Sequence, residues 1–80
     1  MNAVGFVRLR HRLNLTQETL AERMGLSARA IQDIERRDGN VREVHALAIS
    51  MLSIMRAIEE GDPTYVDDRL LWDIRVLVQR

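Results

Sequence analysis

Three breaks divide this chain of 80 residues, and the pieces between them decide its fold class. The breaks fall at Gly25, at Gly39 and at Gly61-Asp62-Pro63. Glycine reverses or ends a helix, and proline cannot continue one. Between the breaks, apolar residues recur at three- and four-residue spacing. Strand-like alternation is nowhere sustained. The predicted architecture is all-α, a five-helix bundle in a single domain. Residues 4–40 carry its specialised part, and residues 41–80 complete the core and supply helices for pairing with a second copy.

The first helix is predicted over about Val4 to Leu13, with Phe6, Leu9 and Leu13 on one face. Asn14 suits the left-handed position that ends it. The second helix follows Thr16 as N-cap, with Glu18 at the positive end of its dipole and Leu20, Ala21 and Met24 inward. Gly25 ends it, followed by Leu26 as apolar partner. Ser27 caps the third helix, Ala28 to about Arg37, whose apolar positions are Ala30, Ile31 and Ile34. The fourth is long, about Val41 to Glu60, opened by an Asn40–Glu43 capping box. Its apolar positions are Val44, Leu47, Ala48, Met51, Leu52, Ile54, Met55 and Ile58, more than one stripe. The fifth is predicted over about Tyr65 to Gln79, after Pro63 and a Thr64–Asp67 capping pair. Val66, Leu70, Ile74, Leu77 and Val78 share one of its faces, and Leu71, Trp72 and Val76 widen it beyond what a core-facing helix needs. A domain this small buries little of its own surface, so surplus apolar residues predict a partner.

Composition narrows the chemistry. There is no cysteine, which removes disulfides and thiolate metal sites. His11 and His45 have no second ligand at metal spacing, so no metal is expected. There is no phosphate-binding glycine loop and no Ser/His/Asp grouping, so neither an enzyme nor a cofactor is expected. The uncharged run Ala46–Met55 is far shorter than a membrane span, and no leader segment is read at the start. A cytoplasmic location and no membrane partner are the expectation.

Charge is balanced, with 12 basic and 12 acidic residues, and that balance alone argues against nucleic acid. The distribution argues for it. Residues 1–42 hold eight arginines against five acids, and residues 43–80 hold four against seven. Every basic residue is arginine, whose planar fork suits phosphate and guanine, although G+C-rich coding would give the same bias.

The informative segment is Thr16–Arg37. Two short helices joined by a turn at Gly25 form a helix-turn-helix pattern. Ala21 is small where the helices cross, and Leu26 and Ile31 fill the space between them. Ala28, Arg29, Gln32, Asp33 and Arg36 are left pointing outward.

With Leu9-Arg10, Leu15-Thr16-Gln17, Leu20-Ala21-Glu22, Gly25-Leu26-Ser27, Ile31 and Ile34-Glu35-Arg36 in place, the chain resembles the helix-turn-helix domains of phage repressors and Cro over roughly Phe6 to Ile49. The resemblance implies that Gln17 and Ser27 anchor phosphates and that Ala28, Arg29, Gln32 and Asp33 face base edges in the major groove. It also implies an internal ion pair between Arg10 and Glu35. The chain departs from the family at Asn14, where glycine is frequent. It departs again at Asp38-Gly39-Asn40, after which the fourth helix runs on. Its size and loop spacing look similar to controller proteins of restriction-modification systems, and are reminiscent of small autorepressors of anti-CRISPR operons.

The outward residues also have their own chemistry. Arg29 can pair bidentately with guanine. Asp33 either accepts from cytosine or holds Arg29 in register as its i,i+4 partner, the second being favoured. Gln32 suits adenine, and Ala28 a thymine methyl. Arg36, Arg37 and Arg42, with Arg12 from the first helix, are placed to contact phosphates. Leu70, Leu71, Trp72, Ile74 and Val78, with part of the fourth helix, are the expected dimer interface. The expected function is sequence-specific binding of double-stranded DNA by a homodimeric regulator, a repressor or autoregulator on an inverted-repeat operator. The competing readings are an antitoxin whose last two helices mask a toxin, and a helix-turn-helix kept only for protein contacts.

Overall fold

The computed structural model describes residues 1–79. Five α-helices follow in order: α1 Ala3–Arg12, α2 Gln17–Met24, α3 Ala28–Arg36, α4 Glu43–Glu60 and α5 Asp68–Val78. A turn of 3₁₀-helix, Pro63–Tyr65, links the last two. The fold is all-α.

Local chemistry sets most of the ends. The Asn2 side chain accepts from Gly5 N at 2.9 Å and starts α1. Thr16 and Thr19 cap α2 reciprocally, each side chain taking the other's backbone N–H. The Ser27 hydroxyl accepts from Ala30 N at 3.1 Å and starts α3. Asn14 takes φ 57° after α1, with Leu15 N donating back to Arg10 O. Gly25 takes φ 70° after α2, with Leu26 N donating back to Ala21 O. Both pairs satisfy carbonyls that a helix end leaves orphaned. An added Cβ at Gly25 would meet nothing within 4 Å, so only the backbone angle resists a side chain there. Gly25→Ala is expected to cost about 1–2 kcal/mol, read as a lower urea midpoint with unchanged slope.

Two predicted starts are corrected. The fourth helix begins at Glu43, and no side chain caps it. The Asn40–Glu43 box does not form because Gly39, at φ 82°, turns the chain so that Asn40 pairs with Asn2. Val41 N then donates to Met1 O at 2.8 Å, and the Val41 side chain is buried. The N-terminus thereby straps the loop after α3. The fifth helix begins at Asp68 rather than Tyr65. The Asp62 carboxylate accepts from Thr64 N and from the Thr64 hydroxyl, which folds Pro63–Tyr65 into a separate turn.

The core is built mainly from α1, α2 and α3. Phe6, Leu9, Leu13, Leu20, Ala21, Ile31 and Ile34 are buried, joined by Val41 and by Ile49 of α4. Helix α4 buries Ile49, Ser53 and Ala57, one residue per turn, so most of its apolar positions are left over, as the surplus beyond one stripe implies. Small side chains at 53 and 57 let α4 seat closely. The Ser53 hydroxyl donates to Ser50 O at 2.6 Å and accepts from Asp67 N at 3.3 Å, so its burial leaves no polar group stranded. Val44, Leu47, Met51, Met55 and Ile58 face outward, while Leu52 is half-buried against the core. No residue of α5 is fully buried. Its attachment comes from half-buried Leu70 and Leu71, from buried Val66 just before it, and from the Ser53–Asp67 bond.

Candidate nucleic-acid interface

Helix α3 is seated by Ile31 and Ile34, and its inward end carries Glu35. Glu35 Oε2 accepts from Arg10 Nε at 2.7 Å, and Oε1 accepts from Arg10 Nη2 at 3.1 Å. The Gln17 amide donates to the same Oε1 at 2.9 Å. One carboxylate therefore ties together α1, α2 and α3, through a two-pronged guanidinium contact that is strong and directional. Arg10 also donates to Leu15 O at 3.1 Å, holding the turn between α1 and α2. Burial pushes the Glu35 pKa up, but hydrogen bonds from Arg10 and Gln17 and the Arg10 charge outweigh it, so the net shift is below the ordinary value.

With that pivot fixed, the opposite face of α3 looks into solvent. Arg29 and Asp33 are exposed, and Ala28 and Gln32 are half-exposed. Arg29 has no ion-pair partner among the described residues. Asp33 pairs with Arg36 instead, Nη2 to Oδ1 at 3.5 Å, so the expected Arg29–Asp33 pair does not form. The cause is the tilt of helical side chains toward the N-terminus. Arg36 leans back over Asp33, whereas Arg29 leans away from it. An acid N-terminal to a base is also the better order. Both partners are largely solvated, so this pair contributes little stability. Arg29 is left uncommitted.

The other expected contacts divide. Ser27 sits at the positive end of α3, and its hydroxyl accepts from Ala30 N but keeps its own hydrogen for an external acceptor. Arg37 ends α3, Arg42 precedes α4, and both are exposed beside exposed Arg36. Gln17 is held by Glu35 through one N–H, with its carbonyl oxygen in no hydrogen bond among the described residues. Arg12 makes internal contacts through one nitrogen. Its Nη1 donates to Val66 O at 3.2 Å, to Thr64 O at 3.5 Å and to Asp68 at 3.2 Å. Nη1 is thereby committed to the α4–α5 connection, because unpaired carbonyls around the 3₁₀ turn and the first carboxylate of α5 fall within its reach, while Nε and Nη2 have no partner among the described residues.

Residues 7–51, more than half of the chain, match the helix-turn-helix family model. The chain belongs to the helix-turn-helix family, in its Cro and phage-repressor branch. No curated protein matches the chain, and no solved structure does. The matched span of this helix-turn-helix protein covers α2, the Gly25 turn and α3, with most of α1 and the first half of α4. The family is one of DNA-binding transcription regulators rather than enzymes. No helix among the described residues is long and apolar enough to cross a membrane.

Two features of the site escaped the sequence. The Gln17–Glu35 bond is one. Nothing in residue spacing links positions 18 apart, although both residues sit at family positions. The N-terminal strap is the other, since backbone pairing of Met1 and Asn2 with Asn40 and Val41 leaves no side-chain signature.

Proposed function

We propose that this protein is a transcriptional repressor or autoregulator that binds an inverted-repeat operator as a homodimer, with α3 in the major groove. The observation that carries the reading is the outward face of α3. Its inward side is anchored by Ile31, Ile34 and the Glu35 pivot, and it offers Arg29 exposed and unpaired among the described residues. A guanidinium in that position suits guanine O6 and N7. Ala28, Gln32 and Asp33 extend the reading surface. Ser27, Arg36, Arg37 and Arg42 flank it as phosphate contacts, with the oriented Gln17 beside them.

Pairing is supported by surface arithmetic. The chain exposes 5630 Å². A compact monomer of 9.3 kDa exposes about 5,000 Å². The excess, roughly 600 Å², is close to the ~800 Å² that one partner buries in a standard interface. Isolated helices of fewer than ~12 residues are marginal in water, and α5, at 11 residues, buries none of them fully. A second copy would cover Leu70, Leu71, Trp72, Ile74 and Val78. Half-sites would then lie about one DNA turn, ~34 Å, apart.

Selection of bound sequences from a random pool tests the reading. Arg29→Ala is expected to lose preference at one base pair per half-site, with discrimination there falling roughly 10- to 100-fold. Uniform weakening across all sequences would reassign Arg29 to the backbone. The exposed apolar faces would also suit an antitoxin. A chain that aggregates alone and is rescued by a co-expressed neighbour supports that alternative.

A further inference from the structure

The outward face of α4 carries Val44 (59% exposed), Leu47 (61%), Met51 (56%), Met55 (42%) and Ile58 (75%). Their spacing is symmetric. Leu47 and Met55 stand four residues either side of Met51, and Val44 and Ile58 stand seven either side. At 3.6 residues per turn all five lie within about 40° of one direction. The buried stripe Ile49, Ser53 and Ala57 lies on the other side of the helix. A stripe that reads the same in both directions is what a two-fold axis requires. In an antiparallel pair of identical helices, the residue n places before the axis meets the residue n places after it.

We infer that the two copies pack α4 against α4, antiparallel, with the two-fold axis passing through Met51. This rests on the homodimer reading and specifies its geometry. Val44 would meet the partner's Ile58, Leu47 the partner's Met55, and Met51 its own counterpart. The surplus of exposed surface suffices for one interface of standard size, so the α4 and α5 faces belong to the same interface. Their placement agrees. Leu47 and Ser50 of α4 share a cleft with Leu70 and Asp73, so α5 flanks the stripe along one edge. Met24 of α2 lines a groove with Ala48, Met51 and Met55 on the other edge. The second α4 would lie between these two walls. No charged residue falls within the stripe, and Glu43 and Glu59 border it on opposite edges, so the two carboxylates do not meet face to face across the seam. Methionine at the centre adapts its shape to its own copy.

The chain has no cysteine, which makes the test clean. Facing Cα atoms of two packed helices lie about 4–5 Å apart, within reach of a disulfide. Met51→Cys in the full-length protein is expected to oxidise to a covalent dimer in high yield. Val44→Cys alone is expected not to cross-link, because its two copies would stand about 21 Å apart along the axis. Mixed Val44→Cys and Ile58→Cys chains are expected to cross-link. Met51 is exposed, so the substitution leaves the fold intact, checked by helical circular dichroism. Met51→Glu is expected to raise the dimer dissociation constant roughly a hundredfold. A dimer in light scattering that cross-links through Trp72→Cys and not through Met51→Cys would overturn the α4 axis and leave the homodimer reading standing. A protein that is monomeric at every concentration would overturn both.

Discussion

Replacing Glu35 by alanine is expected to destabilise the protein by about 3–5 kcal/mol. The side chains of Arg10 and Glu35 are only 11% and 9% exposed, so removing the carboxylate leaves a guanidinium charge desolvated and unpaired. Gln17 loses its acceptor at the same time. A chain of this length has about 4–12 kcal/mol of total stability. The variant should therefore lose a large share of its stability, its midpoint lowered by roughly 15–25 °C in a thermal melt. The double change Arg10→Met with Glu35→Leu removes both charges and is expected to recover most of the loss. If Glu35→Ala melted within a few degrees of the parent, the pivot would be a surface pair and nothing more.

The same carboxyl sets an acid limb. Its pKa is lower folded than unfolded. Its contribution is therefore complete above the ordinary glutamate value, about pH 4.3, and is lost as pH falls through the lowered folded value. The double variant is expected to lose this part of the acid sensitivity, which a series of urea midpoints below pH 5 would register.

Operator affinity is expected to fall roughly a thousandfold between 50 and 200 mM salt. On the proposed reading, Arg36, Arg37 and Arg42, repeated in two subunits, would give six phosphate contacts and a slope near −5 in log affinity against log salt. Arg37→Ala removes two of them, and the slope should become shallower by about 2 while sequence preference stays the same. Fluorescence anisotropy on one operator across a salt series measures both. A slope near zero would rule out DNA backbone as the partner of these arginines and favour a domain kept for protein contacts. Balanced total charge makes this dependence sharper to interpret, since the acidic half of the chain adds no background attraction.

The sequence was most legible where local chemistry governs. The Thr16 and Ser27 caps, the left-handed Asn14 and Gly25, and the spacing of Phe6, Leu9, Leu20, Ile31 and Ile34 each act within one or two turns, and the structure follows them. It was least legible where distant segments compete. Asn40 and Glu43 have the spacing of a capping box, but Asn2 takes Asn40 away. Arg12 has the charge of a phosphate clamp, and nothing near it in sequence signals that its Nη1 bonds to the 3₁₀ turn more than 50 residues later. In α4 the large apolar residues outnumber those the core admits; the core takes Ile49, and at Ser53 and Ala57, one and two turns on, short side chains let the helix approach closely. At the site, Arg29 stands free and Asp33 does not hold it, since side-chain tilt was decisive and spacing alone does not encode it.

Helix α3 divides its labour between two sides. Ile31, Ile34 and Glu35 fasten it to the body, while Ala28, Arg29 and Gln32 make no side-chain bond to the rest of the protein among the described residues. Changes at those three positions should be almost free in stability. If these positions read the operator as proposed, a lineage carrying this fold could wander through operator preferences one substitution at a time without first acquiring a compensating mutation. The residues proposed to choose a sequence are exchangeable because others do the folding.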